Sequence, residues 1–274
     1  MRADLGAGDG RGGTCRTFPA RGDGRLTDAT APLFRLTRHP ALPSTSDHLL
    51  ALAEADAPDG EAVLAYVQTR GRGSRGRSWF DAPGNLALSV LLRREIVPTL
   101  WPFAAACATY DALVAHGARE LHLKWPNDLL DASGGKVAGI LVESGRSASG
   151  GFVVIGIGAN LAAAPLIAPG RTRPGGLGLV DGVDAVAETL LARLAHWTEI
   201  AEDKAFAAIR AAWLERAHAL GTPLVVNARD GAARHGRFAG IDAEGALLLD
   251  TPGGIERIAT GDVLELSGAA VAQR

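Results

Sequence analysis

His122-Leu123-Lys124-Trp125-Pro126-Asn127-Asp128-Leu129-Leu130 runs through a Ser133-Gly134-Gly135 turn into Lys136-Val137-Ala138-Gly139-Ile140-Leu141-Val142-Glu143, and a second turn at Ser147–Gly151 leads to Phe152-Val153-Val154-Ile155-Gly156-Ile157-Gly158. Short apolar runs separated by glycine turns read as strands joined by hairpins. Pro126 stops the first ladder and turns the chain sharply. Strands paired in succession give a mixed, largely antiparallel sheet with helices to one side, an α+β fold.

Working outward, Ser44-Thr45-Ser46-Asp47 is a helix N-cap cluster ahead of Leu49, Leu50 and Leu52, and Pro58-Asp59-Gly60 ends that helix. Val63–Val67 reads as a buried strand that feeds Gln68 into a glycine–arginine loop. Leu86, Leu88, Val90 and Leu92 mark the next strand, and a helix is predicted from Pro98 to Gly117. Residues 165–182 are Pro/Gly-rich and irregular, a long loop of the kind that often carries function. Residues 183–219 read as two helices, with faces Leu190/Leu191/Leu194 and Phe206/Ile209/Trp213/Leu214. From Thr222 to Leu266 short strands alternate with turns at Arg229-Asp230-Gly231, Asp242–Gly245 and Pro252–Gly254, the pattern of a small β-barrel. The expected organisation is a disordered Gly/Arg-rich extension (1–30), a main domain (31–220) and a C-terminal barrel (221–274).

With 274 residues, 47% of them apolar, the chain can bury a sizeable core, and its net charge of −2 confines any basic site to a local patch. Two cysteines, Cys15 and Cys107, make neither a disulfide framework nor a metal cluster, which fits a reducing cytoplasm. The seven histidines are scattered, so no metal site is expected. No apolar run reaches the length of a membrane span.

Two motifs carry chemistry. Gly71-Arg72-Gly73-Ser74-Arg75-Gly76-Arg77-Ser78-Trp79-Phe80 interleaves three arginines with three glycines. Such a loop either cradles an anion, through converging N–H groups and guanidinium forks, or is a solvated charged face. The second is Lys124–Asp128, where a stiff backbone holds a lysine, an asparagine and an aspartate together. Lys124 either stabilises developing negative charge or forms a strand-end ion pair with Asp128. The chain has 25 arginines but only three lysines, four asparagines and two glutamines. Lys124, Lys136, Asn127, Asn160 and Gln68 stand out on that background at strand ends and glycine turns. Of these, Lys136, Asn160 and Gln68, together with Arg72, would surround the mouth of one cleft.

In these motifs the chain resembles the biotin–protein ligases (biotin–acetyl-CoA-carboxylase ligases) of the monofunctional type, from about Ser44 to Leu266. Gly139–Glu143, Gly156–Asn160 and Gly240–Leu249 add to the likeness. The resemblance implies a sheet like that of class II aminoacyl-tRNA synthetases followed by an SH3-like barrel. It implies biotin and ATP as substrates, Mg2+ entering with ATP, and a biotinyl-5′-adenylate that a lysine of the biotin carboxyl carrier protein attacks. Ser44, Thr45, Ser46, Gln68, Arg72, Gly73, Ser74 and Lys124 would bind biotin. Arg75, Arg77, Trp79, Asn127, Asp128, Lys136 and Asn160 would bind ATP or adenylate. Lys124 and Arg72 would be catalytic. The chain departs from the family pattern at Ser46 and Ala162, where the family has asparagine, and at Ser74, where the family has arginine. Residues 1–43 are too few and too glycine-rich for a helix-turn-helix, so no DNA binding is expected. A soluble cytoplasmic monomer or homodimer is expected, with no membrane association. A lipoate or octanoate ligase on the related fold would be expected to carry an Arg-Arg-x-x-Gly-Gly-type loop with a nearby histidine, which this chain lacks. An Arg/Gly-rich RNA-associated protein would interleave exposed aromatics.

Overall fold

The computed structural model describes residues 33–80, 82–94, 100–165, 173–179, 181–202, 206–228 and 232–265. The extension 1–30, Pro98, the Arg229-Asp230-Gly231 turn and much of the 165–182 loop lie outside them. Seven strands, β1 (Arg35–His39), β2 (Glu61–Ala65), β3 (Leu86–Leu92), β4 (His122–Lys124), β5 (Asp128–Leu130), β6 (Lys136–Ser147) and β7 (Gly150–Ala159), pair in the order β1-β2-β3-β7-β6-β5-β4. Only β1–β2 is parallel, and α1 (Thr45–Glu54) lies between these two strands in the chain. β1 is Arg35-Leu36-Thr37-Arg38-His39, a largely polar edge strand with no apolar alternation by which sequence would declare it.

β3 is buried at all seven positions because it is covered on both faces. Leu86, Leu88, Val90 and Leu92 join the main core with α2 (Leu100–Ala115), α3 (Val183–Glu202) and α4 (Phe206–Arg216). Leu91 packs on the other face with Val63, Phe152, Val154 and the α1 residues Leu49 and Ala53. The helices therefore do not sit to one side as expected; α1 covers the opposite face. Tyr66 and Val67, expected in the second strand, lie beyond it and are exposed. Cys107 is an unbonded thiol buried in α2, and that burial pushes its pKa up to about 12.

The C-terminal strands β8 (Pro223–Ala228), β9 (Ala233–Ile241), β10 (Leu247–Thr251), β11 (Gly254–Ile258) and β12 (Gly261–Glu265) form an antiparallel sheet in the order β11-β10-β9-β8-β12. Its inner residues Val226, Phe238, Leu247 and Val263 belong to the same continuous core as α2 and α4. The indole N–H of Trp125 donates to Gly245 O (2.9 Å), so the tryptophan of the Lys124–Asp128 motif fastens the two sheets together.

Register positions the site. β7 sets Gly158 opposite Ala87 and Gly139, and Gly156 opposite Ser89 and Leu141. Gly156 and Gly158 thus form a glycine lane along β7, on the face that α1 covers, with Gly139 beside it on β6. A Cβ at Gly158 would stand 2.4 Å from the Trp79 ring, and one at Gly156 would stand 2.3 Å from Ser46 Oγ. The glycines are there so that Trp79 and the start of α1 can lie directly on the backbone.

Candidate functional site

The arginine stretch is a small hairpin. Arg72 pairs with Ser78, Gly73 N–H donates to Arg77 O (2.7 Å) and Trp79 N–H donates to Gly71 O (2.9 Å). Its tip is a single 3₁₀ turn, Ser74–Gly76, with Arg75 at φ 60° and Gly76 at φ 72°. Every arginine in it already has a carboxylate. Arg72 forks onto Glu143 of β6 (Nη1–Oε1 3.0 Å, Nη2–Oε2 2.5 Å) and meets Asp47 of α1 through Nε (2.7 Å). Arg75 reaches Asp262 (2.5 Å) and donates to Gly261 O (2.5 Å). Arg77 approaches Asp262 at 3.4 Å and donates to the Ser74 hydroxyl (2.8 Å). Neither expected extreme, bare anion cradle or solvated face, is what the chain builds. The hairpin is stitched to α1, β6 and β12.

Beneath the hairpin lies a narrow cleft lined by Thr45, Ser46, Gln68, Arg72, Gly73, Ser74, Trp79, Asn127, Lys136, Gly139, Ile140, Leu141, Gly156, Ile157 and Gly158. A second, roomier cavity adjoins it, lined by Gly73, Ser74, Arg77, Ser78, Trp79, Phe80, Lys136, Asn160, Pro165 and Pro174. Gly73, Ser74, Trp79 and Lys136 border both. Lys136 Nζ sits 5.4 Å over the Trp79 ring and 2.6 Å from Asp128 Oδ1.

Thr45 and Ser46 open α1, and both are buried. Ser44 is its N-cap, accepting from Asp47 N–H (3.2 Å), and does not line either cavity. Asn127 brackets β6, its Nδ2 donating to Ile140 O (2.6 Å) while its own carbonyl accepts from Ile140 N–H. Asn160 Nδ2 donates to Lys136 O (3.2 Å) and Gly175 O (2.8 Å), holding the start of β6 against the 173–179 segment.

Lys124, expected to be the catalytic lysine, borders neither cavity. It is buried, donates to Val263 O (3.2 Å) and lies 3.4 Å from Asp128 Oδ2. Its ammonium thus ties the end of β4 to Val263 of β12. Asp128 is buried between the two lysines. Burial alone would raise its pKa, but Lys136 and then Lys124 outweigh it and hold the carboxyl below the usual carboxylate range.

Three participants went unread in the sequence. Ser89, midway along β3, hydrogen-bonds both Thr45 and Ser46. Glu143 holds Arg72. Asn85 donates to Asn160 Oδ1 (3.3 Å) and accepts from Ala162 N–H (3.1 Å). The scarcity of asparagine that singled out Asn127 and Asn160 applied equally to Asn85.

Residues 39–160 match the Biotin/lipoate A/B protein ligase family, and residues 220–264 match the Biotin protein ligase C terminal domain. The biotin–[acetyl-CoA-carboxylase] ligase of Paracoccus denitrificans is 43% identical over 228 residues, covering 78% of this chain and 94% of the relative. This chain belongs to the biotin protein ligase family. A second such ligase, from Mycobacterium tuberculosis, is 36% identical over 242 residues, 81% of this chain and 86% of that one. The biotin protein ligase of Aquifex aeolicus, solved in complex with biotin and ATP, matches with a TM-score of 0.71 at 25% identity, over 83% of this chain and 97% of that chain. As in that family, the C-terminal sheet accompanies the ligase fold, and here Asp262 on it holds the hairpin tip. Asp262→Ala is expected to raise the rate of tryptic cleavage at Arg75 and Arg77 about three- to fivefold, since about 1 kcal/mol or less is at stake in half-exposed pairs. Mass spectrometry of timed digests reads this out, and an unchanged rate would mean that the hairpin's own hydrogen bonds hold the tip.

Proposed function

We propose that the two joined cavities are the biotin and nucleotide sites of a biotin–[acetyl-CoA-carboxylase] ligase, and that Lys136 is the cation where they meet. The observation that carries this reading is that Lys136 and Trp79 border both cavities. The cavity floored by Thr45, Ser46 and Gln68 suits the ureido head of biotin, and its valeryl chain would run along the glycine lane toward Lys136. The cavity bordered by Phe80, Asn160, Pro165 and Pro174 suits ATP. A biotin carboxylate oxygen then attacks the α-phosphorus, the bond from that phosphorus to the bridging oxygen breaks, and pyrophosphate leaves. Lys136 balances the charge that gathers on the transferring phosphoryl group, and fixed positions replace a chance encounter. The amine of a carrier-protein lysine next attacks the acyl carbon of biotinyl-5′-adenylate, releasing AMP and a proton. Among the described residues there is no group of three or more His, Cys, Asp or Glu side chains that would hold a metal. Mg2+ would enter this scheme with the triphosphate. No helix among the described residues is long and apolar enough to cross a membrane; a cytoplasmic location, where ATP is plentiful, fits the reading.

The test is ATP–pyrophosphate exchange with biotin, octanoate or lipoate. Exchange is expected with biotin and at background with the other two. Exchange driven by lipoate or octanoate instead would overturn the assignment.

A further inference from the structure

The floor of the first cavity holds a chain of hydroxyls whose proton order is forced. Thr45 N–H donates to Gln68 Oε1 (3.0 Å), and a backbone N–H can only donate, so the oxygen of the Gln68 amide faces Thr45. Thr45 Oγ1, 3.2 Å from that same oxygen, must donate to it as well. Its one proton is then spent, so at 2.8 Å from Ser89 Oγ it accepts, and Ser89 donates. Ser89 has no second proton, so across the 3.1 Å contact with Ser46 Oγ it is Ser46 that donates. The order runs Ser46 to Ser89 to Thr45 to Gln68. The orientation of hydroxyl protons is ordinarily a choice made to suit the network; here one backbone amide removes the choice.

We infer that Ser89, which does not line the cavity, is a positioning residue that makes Ser46 an acceptor toward the ligand and so selects a ligand that presents N–H donors there. Ser89 is fully buried on β3, behind Ser46 and opposite Gly156, and no Cβ at Gly156 intervenes. With its proton turned inward, Ser46 Oγ offers the cavity only lone pairs. This inference rests on the ligase reading and sharpens it. The polarity of Ser46 is set from behind, by Ser89 and through it by Thr45 and Gln68. A cyclic urea satisfies that floor through its N–H groups. A ring oxygen in the same position would place lone pair against lone pair.

The experiment compares kcat/KM in ATP–pyrophosphate exchange for biotin and for its two cyclic carbamate analogues, in each of which one ureido N–H is replaced by oxygen. The wild-type enzyme is expected to prefer biotin over at least one carbamate by on the order of 100-fold, the usual consequence of opposing unpaired polar groups in a buried site. In Ser89→Ala the Ser46 hydroxyl is free to rotate and donate, and the preference is expected to fall to about tenfold or less. Ser89→Cys, with a thiol that donates weakly, is expected to lie between them and serves where the alanine variant does not fold. The ratio is taken within one preparation, so it does not depend on the fraction folded, and a purely structural role for Ser89 would lower both rates and leave it unmoved. An unmoved ratio in a variant that still exchanges with biotin overturns the relay alone. Absence of biotin-dependent exchange in the wild-type enzyme overturns both the relay and the ligase reading.

Discussion

Lys136→Ala is expected to lower biotin-dependent ATP–pyrophosphate exchange by about 100- to 1,000-fold, the usual cost of removing one preorganised group from a transition state that gathers charge. The loss should fall on kcat more than on the KM for biotin, because in the proposed arrangement the head group is held by Thr45, Ser46 and Gln68 and not by Lys136. The fold should survive. Lys136 is partly exposed at the cavity rim, and Asp128 keeps Lys124 as a partner when it is gone. Lys124→Ala is the informative contrast. Its ammonium caps Val263 O of the C-terminal sheet and pairs with Asp128, and Lys124 lines neither cavity. It should therefore lower the melting temperature more than Lys136→Ala and impair exchange less at a temperature where the protein is folded. The opposite ranking of the two exchange rates would return the catalytic assignment to Lys124.

That contrast also marks where the sequence stops being readable. The central hairpins, α1 with its cap and the C-terminal strands are local signals, and each appears in the structure where periodicity put it. What each lysine faces is decided by a contact 139 residues away for Lys124, on a strand whose docking leaves no mark near residue 124. The arginine hairpin is similar, because its tip charges are answered by Asp262, 185 or more residues later. Ser89 sits inside an all-apolar run, where one small polar residue looks like a tolerated gap in the pattern; only the strand register puts it behind Ser46. β1 was silent for the reverse reason, since an edge strand paired on one side needs no apolar alternation.

Asp128→Ala is expected to be the most destabilising single change near the site. It would leave the ammonium groups of Lys124 and Lys136, both within 3.4 Å of the lost carboxylate, without their common counter-ion, and Lys124 has almost no exposure to water. Removing one partner from a buried ion pair costs about 3–5 kcal/mol, which for a chain of this size corresponds to a fall in melting temperature on the order of 10 °C. Asp128→Asn should recover only a small part, since a neutral amide accepts hydrogen bonds but carries no charge for two lysines. The acid limb of the stability curve offers a separate check. In the wild-type fold the Asp128 pKa is held below its ordinary value, so the ionised carboxylate stabilises the native state at neutral pH. That contribution is complete above the unfolded-state pKa of about 3.9 and is lost as the pH falls through the lower folded-state value. Thermal melts from pH 7 down to about pH 2.5 should therefore converge for wild type and Asp128→Asn at the acid end. A constant gap between the two curves across that range would mean that Asp128 acts through packing and not through its charge.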